Sequence, residues 1–94
     1  MAKRVDANQG EIVKALRKCG CRVQSLAMVG KGCPDLLVAW VGKLFLLEVK
    51  SNTGKLTPDQ EAWHDEWCGM VDVVCSVADA LKAIGATSEG EGER

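Results

Sequence analysis

The sequence predicts an α/β domain built on a mixed sheet in the order α-β-β-β-α-β-α, and three observations carry that prediction. Between Gly32 and Lys50, two runs rich in Leu, Val, Trp and Phe flank Val41-Gly42-Lys43, the pattern of a β-hairpin buried on both faces. Stretches with helical period, each with its own start and stop signals, stand before and after it. A helix between the hairpin's second strand and a later strand demands a crossover connection, so the last strand runs parallel and the sheet is mixed.

A chain of 94 residues has room for one domain with a modest core, expected over residues 1–85. The remainder, ATSEGEGER over residues 86–94, has no apolar periodicity and is expected to be disordered. A hydrophobic content of 47% beside 27% charged residues is that of a globular chain. No apolar run is long enough to span a bilayer, and the basic start MAKR is not followed by a signal-peptide core. The expectation is a cytoplasmic protein with no membrane partner. Five cysteines without a disulfide-framework spacing point to reduced thiols. Cys19 and Cys21 form a C-x-C with no C-x-x-C elsewhere, so packing is favoured over zinc binding. The net charge of −1 hides an asymmetry. Lys3, Arg4, Lys14, Arg17, Lys18, Arg22 and Lys31 crowd the first third, whereas Asp59, Glu61, Asp65, Glu66 and the tail are acidic. One end can therefore meet a phosphate backbone while the other faces water; for any single one of these cations, a solvated face without a partner is an equal reading.

Residues 1–5 are expected to fray. A helix follows over Ala7–Lys18, capped by Asp6 or Asn8, with Ile12, Val13, Leu16 and Cys19 as its apolar stripe and Gly20 as its stop. Cys21 to Met28 alternates as a strand, with Val23 and Ser25 inward. Val29 to Cys33 is a glycine-containing loop, and Pro34 forces Cys33 into an extended conformation that feeds the hairpin. After Lys50 comes a polar loop, and then Thr57-Pro58-Asp59-Gln60 announces a helix: Thr57 as cap, Pro58 at the first position, Gln60 at the third. Gln60, Trp63, Trp67 and Met70 form its inward stripe, so the two tryptophans are expected in the core rather than stacked on bases. His64 is expected to be packed or partly exposed. Gly69 ends the helix, Met70 to Cys75 reads as a short strand, and Ser76 caps a last helix stopped by Gly85.

The hairpin's open end holds its charges. Asp35 begins the first strand, and Glu48 and Lys50 lie on one face of the second because strand side chains alternate. A two-residue loop of Gly42-Lys43 suits a type II′ turn and sets Asp35 opposite Lys50, diagonal to Glu48. Carboxylates gathered in an apolar setting need compensation, and a divalent cation supplies it. Oxygen ligands without a His or Cys cluster favour Mg²⁺ or Mn²⁺, with Lys50 as a point charge beside it.

Pro34-Asp35, a spacer and Glu48-Val49-Lys50 match the PD-(D/E)xK nuclease signature. The flanking Gly32-x-Pro34-Asp35-Leu36-Leu37 and Gly54-x-Leu56-Thr57-x-x-Gln60 resemble the virus-type replication-repair nuclease (VRR-NUC) branch. The resemblance runs from about Glu11 to about Ile84. It implies a restriction-endonuclease-like core and a metal-dependent, structure-specific DNA endonuclease. In that reading Asp35, Glu48 and the Val49 carbonyl ligate the ion, and Lys50 stabilises the transition state or orients the nucleophile. Two residues keep two readings from pattern alone: Asn8-x-x-Glu11 is close to a capping box, and Gln60 is a capping-box residue. The resemblance assigns Glu11 to the metal or its water and Gln60 to metal-bound water or phosphate. Lys14, Lys31, Ser51, Asn52 and Lys55 are the candidate DNA contacts. Small stand-alone members of the family look like paired subunits acting on four-way junctions, so a homodimer on branched DNA is expected. The alternatives are a sequence-specific restriction-type enzyme of the same fold, a non-catalytic DNA-binding module, and a structural partner in a replication complex.

Overall fold

The computed structural model describes residues 7–86. Its elements are helix α1 (Ala7–Lys18), strands β1 (Arg22–Ser25), β2 (Leu36–Trp40) and β3 (Lys43–Val49), helix α2 (Pro58–Glu66), strand β4 (Val71–Val74) and helix α3 (Val77–Ile84). The order is the expected one. The four strands lie side by side as β1-β2-β3-β4, the first three antiparallel and β4 parallel to β3.

One face of the sheet carries the core. Leu36, Val38, Leu47, Val49 and Val74 project from the strands to meet Ile12 and Leu16 of α1 and Ala80 and Ile84 of α3. α3 is defined at both ends as its sequence dictates: the Ser76 hydroxyl accepts from Asp79 N (3.1 Å), and Gly85 closes it with φ 83°. Beyond it Ala86, assigned to the tail from sequence, donates to Leu81 O (2.8 Å) and packs against the core. The expectations for residues 1–5, the Asp6 cap and residues 87–94 lie outside the described residues.

The opposite face is covered differently, and the hairpin is not buried on both sides. Of the described helices α2 alone lies there, and none of its residues is buried. Trp63 and Trp67 stack in parallel with ring centroids 4.5 Å apart, but Trp67 is 50% exposed, so the pair is not core. Met70 falls beyond the end of α2 and is 65% exposed. With Leu26, Leu37, Leu44 and Leu46 these side chains line an open groove of about 400 Å³. Helical spacing marks a stripe as apolar; it does not supply a layer to cover it.

Three smaller expectations also change. Asn8 is helical rather than a cap, and its side-chain amide reaches Lys50 O (3.4 Å) and Cys75 O (3.3 Å), pinning the start of α1 to the ends of β3 and β4. Ser25 is exposed on the edge strand, where its hydroxyl accepts from Ala27 N (3.2 Å) instead of turning inward. Of the five thiols only Cys21 is buried, and Cys19 and Cys68 are exposed.

Candidate metal centre

The hairpin turn decides what stands opposite what. Trp40 pairs with Lys43, so the loop is Val41-Gly42, with φ 48° and 77°, rather than Gly42-Lys43. Positive φ at both positions is the type I′ pattern, whose twist suits a hairpin. It places a β-branched, exposed residue in the left-handed region, which sequence rules would not choose. Relative to the expected pairing the register slips by two, and a slip of two keeps every side chain on its face. Continued past Leu36↔Leu47, the register sets Asp35 directly across from Glu48 instead of Lys50.

That pair is close by construction. Asp35 turns its carbonyl toward β1, where it accepts from Leu26 N (2.8 Å). Asp35 and Glu48 therefore form a non-hydrogen-bonded cross-strand pair, the kind whose side chains approach most. The Asp35 Oδ2 accepts from Val49 N (2.7 Å), which fixes the carboxylate over the end of β3. In a strand the N–H and C=O of one residue point the same way, so the Val49 carbonyl is aimed at that side too. Its ladder neighbour by register is Pro34, which has no N–H to offer.

Glu48 is the anomaly of the fold. It is 1% exposed, the one charged residue among the buried side chains described. Burial, and then the neighbouring Asp35 carboxyl, push its carboxyl up to about 8 against the pull of Lys50. Its Oε2 accepts from Gln60 Nε2 (3.1 Å), whereas Oε1 has no hydrogen-bond partner. A buried carboxylate with one oxygen unpartnered, directly across from a second carboxylate, is a donor set that suits a hard divalent cation. Cys33 flanks the same place, its thiol pushed up by burial and then by Glu48 and Asp35.

Gln60 answers the choice left open by its position, because its amide has two ends. Oε1 accepts from Thr57 N (2.9 Å) while Gln60 N donates to the Thr57 hydroxyl (3.2 Å), closing the capping box of α2. The Nε2 end is then left pointing at Glu48. Gly32 lets the two elements come together: with φ 86°, it passes so near the backbone of Asp59 that a Cβ would overlap it.

The other candidates are more scattered. Glu11 is exposed on α1, one turn after the pinned Asn8, and therefore on the side of the helix nearest Lys50. Among the described residues no three His, Cys, Asp or Glu side chains stand together as a ready-made metal cage, so Glu11 does not join Asp35 and Glu48 directly. Lys50 is half-buried; Lys14, Lys31, Ser51, Asn52 and Lys55 are exposed. The basic residues Arg17, Lys18 and Arg22 gather at the turn end of the sheet, since Arg22 pairs with Ala39. Ala39 lies four residues along the chain from Asp35, a run of about 13 Å. This cationic cluster is thus at the far end of β2 from the acids. Sequence reading passed over His64, which stands 3.6 Å from Glu48 Oε1. Its spacing of four from Gln60 was the available signal.

The VRR-NUC domain family matches residues 2–79 of the chain. A solved structure described as a VRR_NUC domain superposes with a TM-score of 0.64 at 29% identity, covering 84% of this chain and 96% of that one. A comparison with curated proteins finds no match.

Proposed function

Because the chain belongs to the VRR-NUC domain family, whose fold is that of nuclease-type DNA-processing domains, we propose that it is a Mg²⁺- or Mn²⁺-dependent endonuclease. Its substrate is branched DNA, four-way junctions foremost, and it works as a homodimer. The observation that carries the catalytic reading is the buried Glu48 carboxylate with its unpartnered Oε1 directly across from Asp35. Such a pair is destabilising on its own and becomes favourable with a dication as third member.

Asp35, Glu48 and the Val49 carbonyl hold the ion in this reading, with Glu11 extending the site from α1 through water. When bound, the metal supplies a water of lowered pKa and a Lewis-acid contact to the phosphate. The chain's own residues do the rest. Val49 N–H holds the Asp35 carboxylate, and Gln60 Nε2 holds that of Glu48, so neither ligand has to be ordered when substrate arrives. Lys50, following Glu48 by two residues, brings an ammonium to the charge that builds on the scissile phosphate. Lys31, Ser51, Asn52 and Lys55 contact the backbone around it, with Lys14 further along α1. So few polar loops read shape and phosphate rather than bases.

The dimer reading rests on the second sheet face. Leu44 is 69% exposed and lines one groove with Trp67 and Met70, an apolar surface of the kind that marks an interface. A two-fold pairing through it would present two metal centres to a symmetric junction.

The test is cleavage of linear, flap, splayed and four-way DNA by wild type and Lys50→Ala, with and without Mn²⁺. Wild type is expected to cut branched DNA only with metal. Lys50→Ala is expected to bind the same DNA and cut about 10²–10³-fold more slowly. Binding with no metal-dependent cleavage by wild type would leave a non-catalytic DNA-binding module instead.

A further inference from the structure

Two buried side-chain polar atoms in the described structure have no hydrogen-bond partner, Glu48 Oε1 and His64 Nε2, and they face each other at 3.6 Å. That distance is too long for a hydrogen bond but closes with a small rotation of either side chain. The Nε2 atom itself is buried, although the His64 side chain is 14% exposed, so Nε2 has no water to turn to where it stands. Its position follows from α2. Gln60 and His64 are four residues apart, so they project from one side of the helix, and that side sits over Glu48. One of them already holds Oε2; the other is aimed at Oε1.

Resting on the nuclease reading, we propose that His64 is a positioning residue of the metal centre, its Nε2–H taking Glu48 Oε1 as Gln60 Nε2 takes Oε2. α2 then grips the carboxylate by both oxygens and fixes its plane. Each oxygen keeps a further lone pair for the ion, since a carboxylate offers about four acceptor sites. Residues that hold a ligand in this way set metal affinity, and their loss typically costs about 10–100-fold. A histidine that merely fills space between α2 and β3 needs no donor at Nε2.

Three measurements on the full chain separate these roles. In metal-free wild type above about pH 9, where Glu48 has given up its proton, ¹⁵N NMR should show His64 as the Nε2–H tautomer. The Nδ1–H tautomer overturns the proposal, whatever the variants do. In calorimetric Mn²⁺ titrations, His64→Phe, which keeps a ring of similar size, should bind about 10–100-fold more weakly than wild type. His64→Gln, which can place an amide N–H where Nε2 stood, should stay within about threefold of wild type, a rescue a packing role does not predict. Unchanged affinity in His64→Phe, or equal loss in both variants, overturns the proposal. Wild type that shows the Nε2–H tautomer yet takes up no Mn²⁺ overturns the nuclease reading while supporting the grip of α2 on Glu48.

Discussion

Glu48 makes the metal-free protein less stable as the solution becomes more alkaline, opposite to the behaviour of a salt-bridged carboxylate. In the unfolded chain the carboxyl ionises near 4.5; in the folded chain burial and Asp35 hold the proton until about 8. Between those values the folded state binds more protons than the unfolded, so each rise in pH favours unfolding. Stability is full below pH 4.5 with respect to this group and is lost as the pH passes through about 8. At about 1.4 kcal/mol per pH unit, the interval sets a ceiling of about 5 kcal/mol. Local opening that lets water reach the carboxylate lowers this to about 2–3 kcal/mol, or roughly 10–20 °C in Tm for a domain of this size. The assay is thermal unfolding with EDTA at pH 5, 6, 7 and 8.5. Glu48→Gln serves as control, because only the difference between the two proteins belongs to Glu48. Saturating Mg²⁺ should flatten the wild-type curve, the ion taking the place of the proton. The reasoning fails if wild type and Glu48→Gln show the same pH dependence, or if wild type grows more stable with pH relative to the control.

The remaining predictions concern the supports of the site. Thr57→Ala removes only the cap of α2 and should lower stability by about 1 kcal/mol with little change in Mn²⁺ affinity; Gln60→Ala removes cap and carboxylate partner together, and should weaken Mn²⁺ binding by about 10–100-fold as well. Equal metal affinity in the two variants would show that the bond to Glu48 is incidental. Gly32→Ala forces a Cβ into the Asp59 backbone at a left-handed φ and should push α2 off the site, with metal binding lost and a Tm drop exceeding that of Thr57→Ala. Leu44→Glu, on the exposed sheet face, should turn a dimer into a folded monomer by sedimentation with Tm little changed; an unaltered mass would locate the interface elsewhere.

What was legible in the sequence was local. The bounds of α1, the Thr57–Gln60 capping box and the Ser76 and Gly85 ends of α3 follow from residues within one turn of each other, and the structure has them where expected. The pairing of Asp35 with Glu48 was misplaced because the turn uses Val41 where a glycine or asparagine is favoured, and the face survived only because the slip is even. Two further things depend on how layers stack. Whether Trp67 and Leu44 are covered depends on what lies above the sheet, and their apolar character could not say that nothing among the described residues does. The approach of His64 to Glu48 follows from its spacing of four from Gln60 only once α2 is known to cross the charged end of β3.

Pro34 gives the motif's proline a task beyond stiffening the chain. Any other residue at that position would carry an amide hydrogen opposite the Val49 carbonyl, and the antiparallel ladder would zip one rung further. Lacking that hydrogen, the imino ring cannot bond the Val49 carbonyl as a ladder partner would. Substituting Pro34 would then harm the protein by adding a bond rather than removing one, a fold made slightly more complete at the expense of its chemistry.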